Sequence, residues 1–236
     1  MTRESVVALS GEEGGLKPRL QAGLAVAIAY FVLSPAWAAD GSAIVSHGTA
    51  AGAPACSSCH GAHGEGDPEN GFPRLAGLKP GYIMHQLAGF ADGSRQSDVM
   101  VDIAKALTAE EREAVASFYA EQEIQAAKPA AEAPDAKLVE RGEHLANIGN
   151  WSQGVPGCGQ CHAPNGHGVG QVFPPLAGQS ATYIESQLAA WKEGKRTNDP
   201  LHLMSGIAKK LSDDDVKAAA AYYASLDAAA KEASHE

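Results

Sequence analysis

Four cysteines and two histidines form two short motifs of the same pattern. The motifs are Cys56-Ser57-Ser58-Cys59-His60 and Cys158-Gly159-Gln160-Cys161-His162, and together they use every cysteine of the sequence. Cys-x-x-Cys-His is the attachment pattern of a c-type haem, because two thiols add to the vinyl groups while the adjacent histidine binds the iron. The sequence therefore predicts two covalently attached haem c groups. Their predicted protein ligands are the thiols Cys56, Cys59, Cys158 and Cys161 and the imidazoles His60 and His162.

Other chemistries also use paired cysteines. Zinc would accept these residues, but it does not require a histidine directly after each second cysteine. A redox dithiol is usually single and lies in a βαβ pattern, which is absent from this sequence. Two disulfides would suit an exported protein, but they would leave the two histidines without a role. We therefore favour haem attachment, with zinc and a redox dithiol as the alternatives.

The similarity between the two motifs continues along the chain as an internal repeat. Phe72-Pro73-Arg74-Leu75-Ala76-Gly77 matches Phe173-Pro174-Pro175-Leu176-Ala177-Gly178, and Arg95 matches Arg196. A repeat of this length predicts two homologous domains in tandem. We expect them at 40–122 and 137–236, joined by a linker at 123–136 that is rich in Ala, Glu and Pro.

The elements around the motifs are predicted to be helical. Thr108-x-x-Glu111 and Ser212-x-x-Asp215 occupy equivalent places and are typical of capping boxes at helix N-termini. Apolar residues follow each of them at helical spacing, whereas no segment shows a useful length of β-alternation. The predicted fold class is all-α, with each domain wrapped around one haem that enlarges a small apolar core.

Two methionines recur in register and are the candidate sixth ligands of the irons. Met100 begins Met-x-x-x-Ala-x-x-Leu in the first copy, and Met204 begins the same pattern in the second. A thioether favours ferrous iron, so His/Met ligation predicts relatively high reduction potentials. Met84 aligns with Glu185, which predicts a surface or packing role for it. The rival histidines do not recur cleanly and are expected at the surface: His63, His85, His167 and His202.

Several other recurring positions receive weaker predictions. The carbonyls of Pro73 and Pro174 are placed to accept the N–H of each axial imidazole and to fix its ring. Leu75 and Leu176 are expected on the haem faces. Arg95 and Arg196 are interpreted either as partners of haem propionates or as solvated surface charges.

The N-terminal region predicts export. Lys17 and Arg19 precede an apolar run that Pro35 ends, and Ala36-Trp37-Ala38 resembles a cleavage site, so residues 1–39 are predicted to be a signal peptide cleaved near Ala38 or Ala39. An uncleaved anchor is the alternative, and it would allow peripheral membrane association. The net charge of −10 argues against nucleic acid and permits steering toward a basic partner.

Taken together, the motifs resemble the dihaem cytochrome c4 family. The resemblance is carried by Val155-Pro156-Gly157-Cys158 through His162, Phe173 through Gly178, Gly194-Lys195-Arg196-Thr197-Asn198-Asp199 and Met204-x-x-x-Ala208. It implies two class I cytochrome c folds that face each other about a pseudo-twofold axis, in a periplasmic carrier that delivers electrons toward a terminal oxidase. Two departures stand out. The segment before Cys56 is short, which predicts an abbreviated first helix, and Leu78 stands where the second copy has Gln179.

Paired methionines predict closed irons, and closed irons predict an electron carrier rather than an enzyme. The expected partners are redox proteins: a terminal oxidase, cytochrome bc1 or a dehydrogenase. The alternative is a cytochrome subunit of a periplasmic dehydrogenase complex, in which a partner chain supplies flavin or quinone chemistry. A dihaem peroxidase would need an open iron, and the paired Met100 and Met204 argue against it.

Overall fold

The computed structural model describes residues 39–125 and 135–229. These residues all belong to one compact unit, Trp37–Glu236. Apart from Ala39, the predicted signal peptide lies outside the described residues, as do positions 126–134 of the predicted linker. Among the described residues, no helix is long and apolar enough to cross a membrane.

Within the described residues, each half contains five α-helices in the same order. In the first half they are α1 (Gly41–His47), α2 (Ser57–His60), α3 (Pro80–Asp92), α4 (Met100–Lys105) and α5 (Ala109–Glu121). In the second half they are α6 (Ala136–Asn147), α7 (Gly159–His162), α8 (Ala181–Lys192), α9 (Leu203–Ala208) and α10 (Asp213–Ser225). The only β-strands among the described residues are β1 (Gly149–Asn150) and β2 (Val155–Pro156), which form one antiparallel pair. The all-α prediction is therefore confirmed.

The last helix of each half begins at the predicted capping box. The Thr108 hydroxyl accepts from the Glu111 amide, and the Glu111 carboxylate accepts from the Thr108 amide. Ser212 and Asp215 exchange the same two bonds at the start of α10. These bonds satisfy backbone donors that a helix N-terminus leaves without a partner, so both helices start at a fixed residue.

The first and last helices of each half cross at a glycine. Gly41 of α1 lies against the backbone of Ala114 in α5, and Gly142 of α6 lies against the backbone of Ala218 in α10. A Cβ atom at either glycine would overlap the facing carbonyl oxygen, so only glycine permits this approach. The expected shortening of the first helix is confirmed, since α1 has 7 residues and α6 has 12.

Each half has its own apolar core. The first core contains buried residues of α1, α3, α4 and α5, and the second contains buried residues of α6, α8, α9 and α10. Tyr119 and Tyr223, which are equivalent in the repeat, are among the most deeply buried large side chains. The motif helices α2 and α7 lie beside these two cores, because Cys56 packs on the first and Cys158 on the second.

Candidate haem sites

Each motif forms a single helical turn. The amide of His60 donates to the carbonyl of Cys56 over 3.0 Å, and the amide of His162 donates to the carbonyl of Cys158 over 2.9 Å. Both thiols and the imidazole of a motif therefore come from one turn of chain. None of the four cysteines is joined to another by a disulfide. Among residues 39–125 and 135–229, no group of three or more His, Cys, Asp and Glu side chains could hold a metal ion by itself, as a zinc site would require.

The two motif histidines are buried and hold the same orientation. His60 is 8% exposed and His162 is 7% exposed. The Nδ1 of His60 lies 3.0 Å from the carbonyl oxygen of Pro73, and the Nδ1 of His162 lies 2.9 Å from that of Pro174. These contacts confirm the predicted acceptors.

These contacts also set the protonation of each ring. A carbonyl oxygen can only accept, so Nδ1 carries the proton and Nε2 keeps its lone pair. Burial lowers the pKa of both histidines, and the bond to the proline carbonyl only partly opposes it. Each ring is therefore a neutral imidazole with one nitrogen available to a metal.

The loop that supplies each carbonyl passes close to the motif. The amide of Gly66 donates to the carbonyl of His60, and the amide of Gly168 donates to the carbonyl of His162, each over 2.8 Å. Both glycines have a positive φ, at 81° and 80°. A Cβ at Gly66 would lie 2.6 Å from the amide nitrogen of Arg74. Glycine therefore lets the loop segments around Gly66 and Arg74 approach each other closely.

The two methionines lie at equivalent positions, each in the first turn of the fourth helix of its half. Met100 begins α4 and packs, half-buried, on the first core, whereas Met204 lies in α9 and packs on the second. The backbone before Met204 is unusual, because Leu201 and His202 both adopt left-handed conformations, at φ 57° and 55°. The two methionines are thus similarly placed but differently approached.

The other candidate ligands lie at or near the surface. Met84 is 38% exposed on α3, as its alignment with Glu185 predicts. His63, His85 and His202 are exposed, while His167 is half-buried. The Nε2 of His85 lies 2.7 Å from the carbonyl of Asn198, which gives this histidine a role between the two halves.

The residues around each motif fit a haem. Two thiols, a neutral imidazole and a thioether are the donor set of a His/Met haem c. The hydroxyl of Tyr119 is buried and has no hydrogen-bond partner among the described residues, whereas the buried hydroxyl of Tyr223 lies beside the thiol of Cys158. Burial raises the pKa of both phenols, so both keep their protons at neutral pH and remain donors. The unpaired hydroxyl of Tyr119 is a donor that a non-protein acceptor in the first core would satisfy, and the second core carries the equivalent hydroxyl.

The interpretation of Arg95 and Arg196 as solvated surface charges is wrong. They are 5% and 4% exposed, and they pair with each other as an antiparallel β-bridge between the two halves. The guanidinium of Arg95 lies 4.4 Å from the ring centre of Phe90, and that of Arg196 lies 4.0 Å from the ring centre of Trp191. Pairing with haem propionates remains a prediction.

The two arginines cross between the halves in a symmetrical way. Arg95 donates to Tyr183 and Gln187 of α8 and to Gln86 of α3. Arg196 donates to Tyr82 and Gln86 of α3 and to Gln187 of α8. In the repeat, Tyr82 matches Tyr183 and Gln86 matches Gln187, but no role was predicted for these residues from the sequence. Their recurrence as polar residues among the apolar positions of a helix was the signal that could have identified them.

Comparisons with known proteins agree with this arrangement. A cytochrome c family model matches residues 139–227. A protein of Stutzerimonas stutzeri named "Thiosulfate dehydrogenase electron acceptor" is 44% identical over 211 residues, which is 86% of this chain and 94% of that protein. The reduced cytochrome c4 of Pseudomonas stutzeri has a TM-score of 0.64 at 36% identity, covering 72% of this chain and 93% of that one.

A third similar protein is a thiosulfate dehydrogenase from Marichromatium purpuratum. It has a TM-score of 0.74 at 39% identity, and the match covers 81% of this chain but only 41% of that one. This chain therefore spans about two fifths of the dehydrogenase chain that it matches.

The fold and the paired sites define a protein of two class I cytochrome c units in tandem. It carries two covalently bound haem c groups and transfers electrons. The chain belongs to the dihaem cytochrome c4 family.

Proposed function

We propose that each motif, together with one of the two recurring methionines, holds one haem. Cys56 and Cys59 form the thioethers of haem 1, and His60 and Met100 bind its iron. In haem 2, the thioethers come from Cys158 and Cys161, and the iron ligands are His162 and Met204. The observation that carries this assignment is the pair of buried, neutral histidines, each in one turn with two thiols and each with Nδ1 bound to a proline carbonyl.

We further propose that the protein is a carrier without substrate chemistry of its own. Haem iron supplies a one-electron couple when the group is bound. The chain holds each histidine in one tautomer, keeps water from the ring, and places a thioether on the same core. A histidine and a methionine on each iron would leave no place for peroxide or oxygen to bind. The predicted domain boundaries at 40–122 and 137–236 belong to the same proposal, with one haem to each domain.

A thiosulfate dehydrogenase is the electron donor that we propose. The names of the Stutzerimonas relative and of the Marichromatium enzyme support this choice. The acceptor would be a terminal oxidase or another cytochrome. The Marichromatium chain also supports the second candidate, a cytochrome subunit of a dehydrogenase complex, because this chain matches about two fifths of that longer dehydrogenase chain. Both functions place the protein in the periplasm after removal of residues 1–39.

Charge suggests how a donor would approach. Residues 40–122 contain eleven Asp and Glu against five Lys and Arg, whereas residues 137–236 contain eleven against nine. Two of the five cations in the first half, Arg74 and Arg95, are buried. The first half therefore presents a more acidic surface, which favours a basic partner and makes association sensitive to salt.

Stopped-flow mixing tests the proposed donor. The oxidised holoprotein is mixed with a purified thiosulfate dehydrogenase, with and without thiosulfate, and haem reduction is followed by absorbance. We expect both haems to be reduced only when thiosulfate is present, and we expect the rate to fall as ionic strength rises. A protein that stays oxidised while the enzyme reduces another cytochrome would contradict the proposed donor. Copurification of the two proteins as a stable complex would favour the subunit over the free carrier.

A further inference from the structure

One peptide group in the first half is hydrogen-bonded on both sides. The carbonyl of Pro73 accepts from Nδ1 of His60 over 3.0 Å. The amide of the same peptide belongs to Arg74, and it donates to Oε1 of Gln179 over 3.1 Å. Gln179 lies in the second half and is 5% exposed. A chain of two hydrogen bonds therefore joins the axial histidine of haem 1 to the other half of the molecule.

Gln179 binds the backbone of Arg74 with both ends of its amide. Its Nε2 donates to the carbonyl of Arg74 over 3.1 Å, while its Oε1 accepts from the amide of the same residue. Oε1 also accepts from the amide of Ser180 over 3.1 Å, which fixes the rotamer at the start of α8. The contact is thus buried and bidentate, and its geometry is set by a helix N-terminus.

The second half cannot form the equivalent chain. The carbonyl of Pro174 accepts from His162 over 2.9 Å, as its counterpart does. The next residue is Pro175, whose backbone nitrogen carries no hydrogen. Leu78, which matches Gln179 in the repeat, is buried in the first core and has no polar group to offer. The two haems therefore differ at the peptide that holds the axial histidine.

The Arg74 side chain adds a second difference. Its guanidinium donates to the carbonyl of Ala76 over 2.6 Å and to the carbonyl of Ala177 over 2.9 Å. These two alanines are equivalent in the repeat, so one guanidinium occupies the place where the halves meet. No carboxylate pairs with it among the described residues. Burial lowers the pKa of Arg74 to about 10, so it still carries its charge at neutral pH.

We propose that Gln179 is a positioning residue through which the second half tunes haem 1 and leaves haem 2 unchanged, and that the charge of Arg74, which lies between the two halves, also acts on the potential of haem 1. A hydrogen bond at the Arg74 amide polarises the peptide and makes the Pro73 carbonyl a stronger acceptor. The His60 ring then donates more electron density to the iron, which stabilises the ferric state and lowers the potential. The buried charge of Arg74 acts in the opposite direction, because a nearby cation disfavours the more positive ferric iron. This inference rests on His60 being the axial ligand of haem 1.

The test uses the holoprotein with two substitutions of opposite expected sign. In Gln179→Leu, the His60 Nδ1–H resonance of the ferrous protein should move upfield as its hydrogen bond weakens, and the haem 1 potential should rise. In Arg74→Met, the haem 1 potential should fall because the charge is lost. Arg74→Lys keeps the charge, so its haem 1 potential should stay closer to that of the parent protein. In Gln179→Leu, haem 2 should keep its potential and its His162 resonance.

Asn198→Ala provides the matched control. Asn198 donates to Gln86 across the same interface over 3.0 Å but does not touch the Pro73–Arg74 peptide. It should leave the His60 resonance in place. If Gln179→Leu and Asn198→Ala changed the His60 resonance and the haem 1 potential equally, a general loosening of the interface would explain both results and the proposal would be wrong. If Gln179→Leu changed neither His60 nor haem 1, or moved both haems equally, the inference would be wrong. Absence of an iron-bound His60 signature in the parent protein would instead refute the ligand assignment.

Discussion

At the residue scale, the two candidate haem sites are alike around the motif histidine and differ in the backbone that leads to the methionine. His60 and His162 have the same burial, the same carbonyl partner and the same free Nε2. The backbone that leads to Met204 contains two left-handed residues that the loop before Met100 lacks. Similar ligands in unequal surroundings predict two haems of the same type with separate potentials.

Replacing each methionine tests the ligand assignment. Met100→Ala should remove the far-red methionine-to-iron charge-transfer band of haem 1 and lower its potential, because the thioether stabilises ferrous iron. Met204→Ala should do the same to haem 2 alone. Haem-resolved redox titration followed by optical spectra provides the measurement. Met84→Ala is the matched control, since this exposed methionine should affect neither band. A full set of bands in Met100→Ala would show that another residue binds iron 1.

The sequence predicts the covalent and axial residues because they repeat in register, and these assignments remain predictions. It could not predict that Arg95 and Arg196 are buried. Their acceptors Gln86 and Gln187 belong to both halves, so the partners become visible only when the two halves are brought together. Arg74 was missed for the same reason. Its match in the repeat is Pro175, and its partners include Gln179 and Ala177 of the other half.

At the element scale, the helices follow local chemistry closely. The two capping boxes start α5 and α10 at Thr108 and Ser212 as predicted. The crossing of the first and last helices was not predicted, because Gly41 and Gly142 fall outside the matched motifs. Their need for a missing side chain comes from the facing backbone rather than from helix propensity, which disfavours glycine.

Gly142→Ala tests the crossing of α6 and α10. The new Cβ would overlap the carbonyl of Ala218, and overpacking of this kind costs about 1–3 kcal/mol of unfolding free energy. Gly206→Ala is the matched control, because no atom lies within 4 Å of a Cβ there and alanine favours a helix by about 1 kcal/mol. Denaturant unfolding of the oxidised holoprotein, followed by circular dichroism and haem absorbance, gives both values. Equal stability of the two variants would contradict the close approach.

At the scale of the whole molecule, buried polar groups join the two halves. Arg95, Arg196 and Arg74 supply the donors, and glutamines, tyrosines and carbonyls supply the acceptors. A buried polar group that loses its hydrogen-bond partner costs free energy. These paired groups therefore fix one arrangement of the two halves. This specificity suits a carrier in which two haems must keep a constant relation during transfer.

The central claim is that both irons are closed by histidine and methionine, and spectroelectrochemical titration of the mature protein tests it most directly. The account predicts two haem c groups per chain, two resolved one-electron steps, and a methionine-to-iron charge-transfer band that both ferric haems contribute. A single haem per chain, or a high-spin ferric haem that binds peroxide, would contradict it.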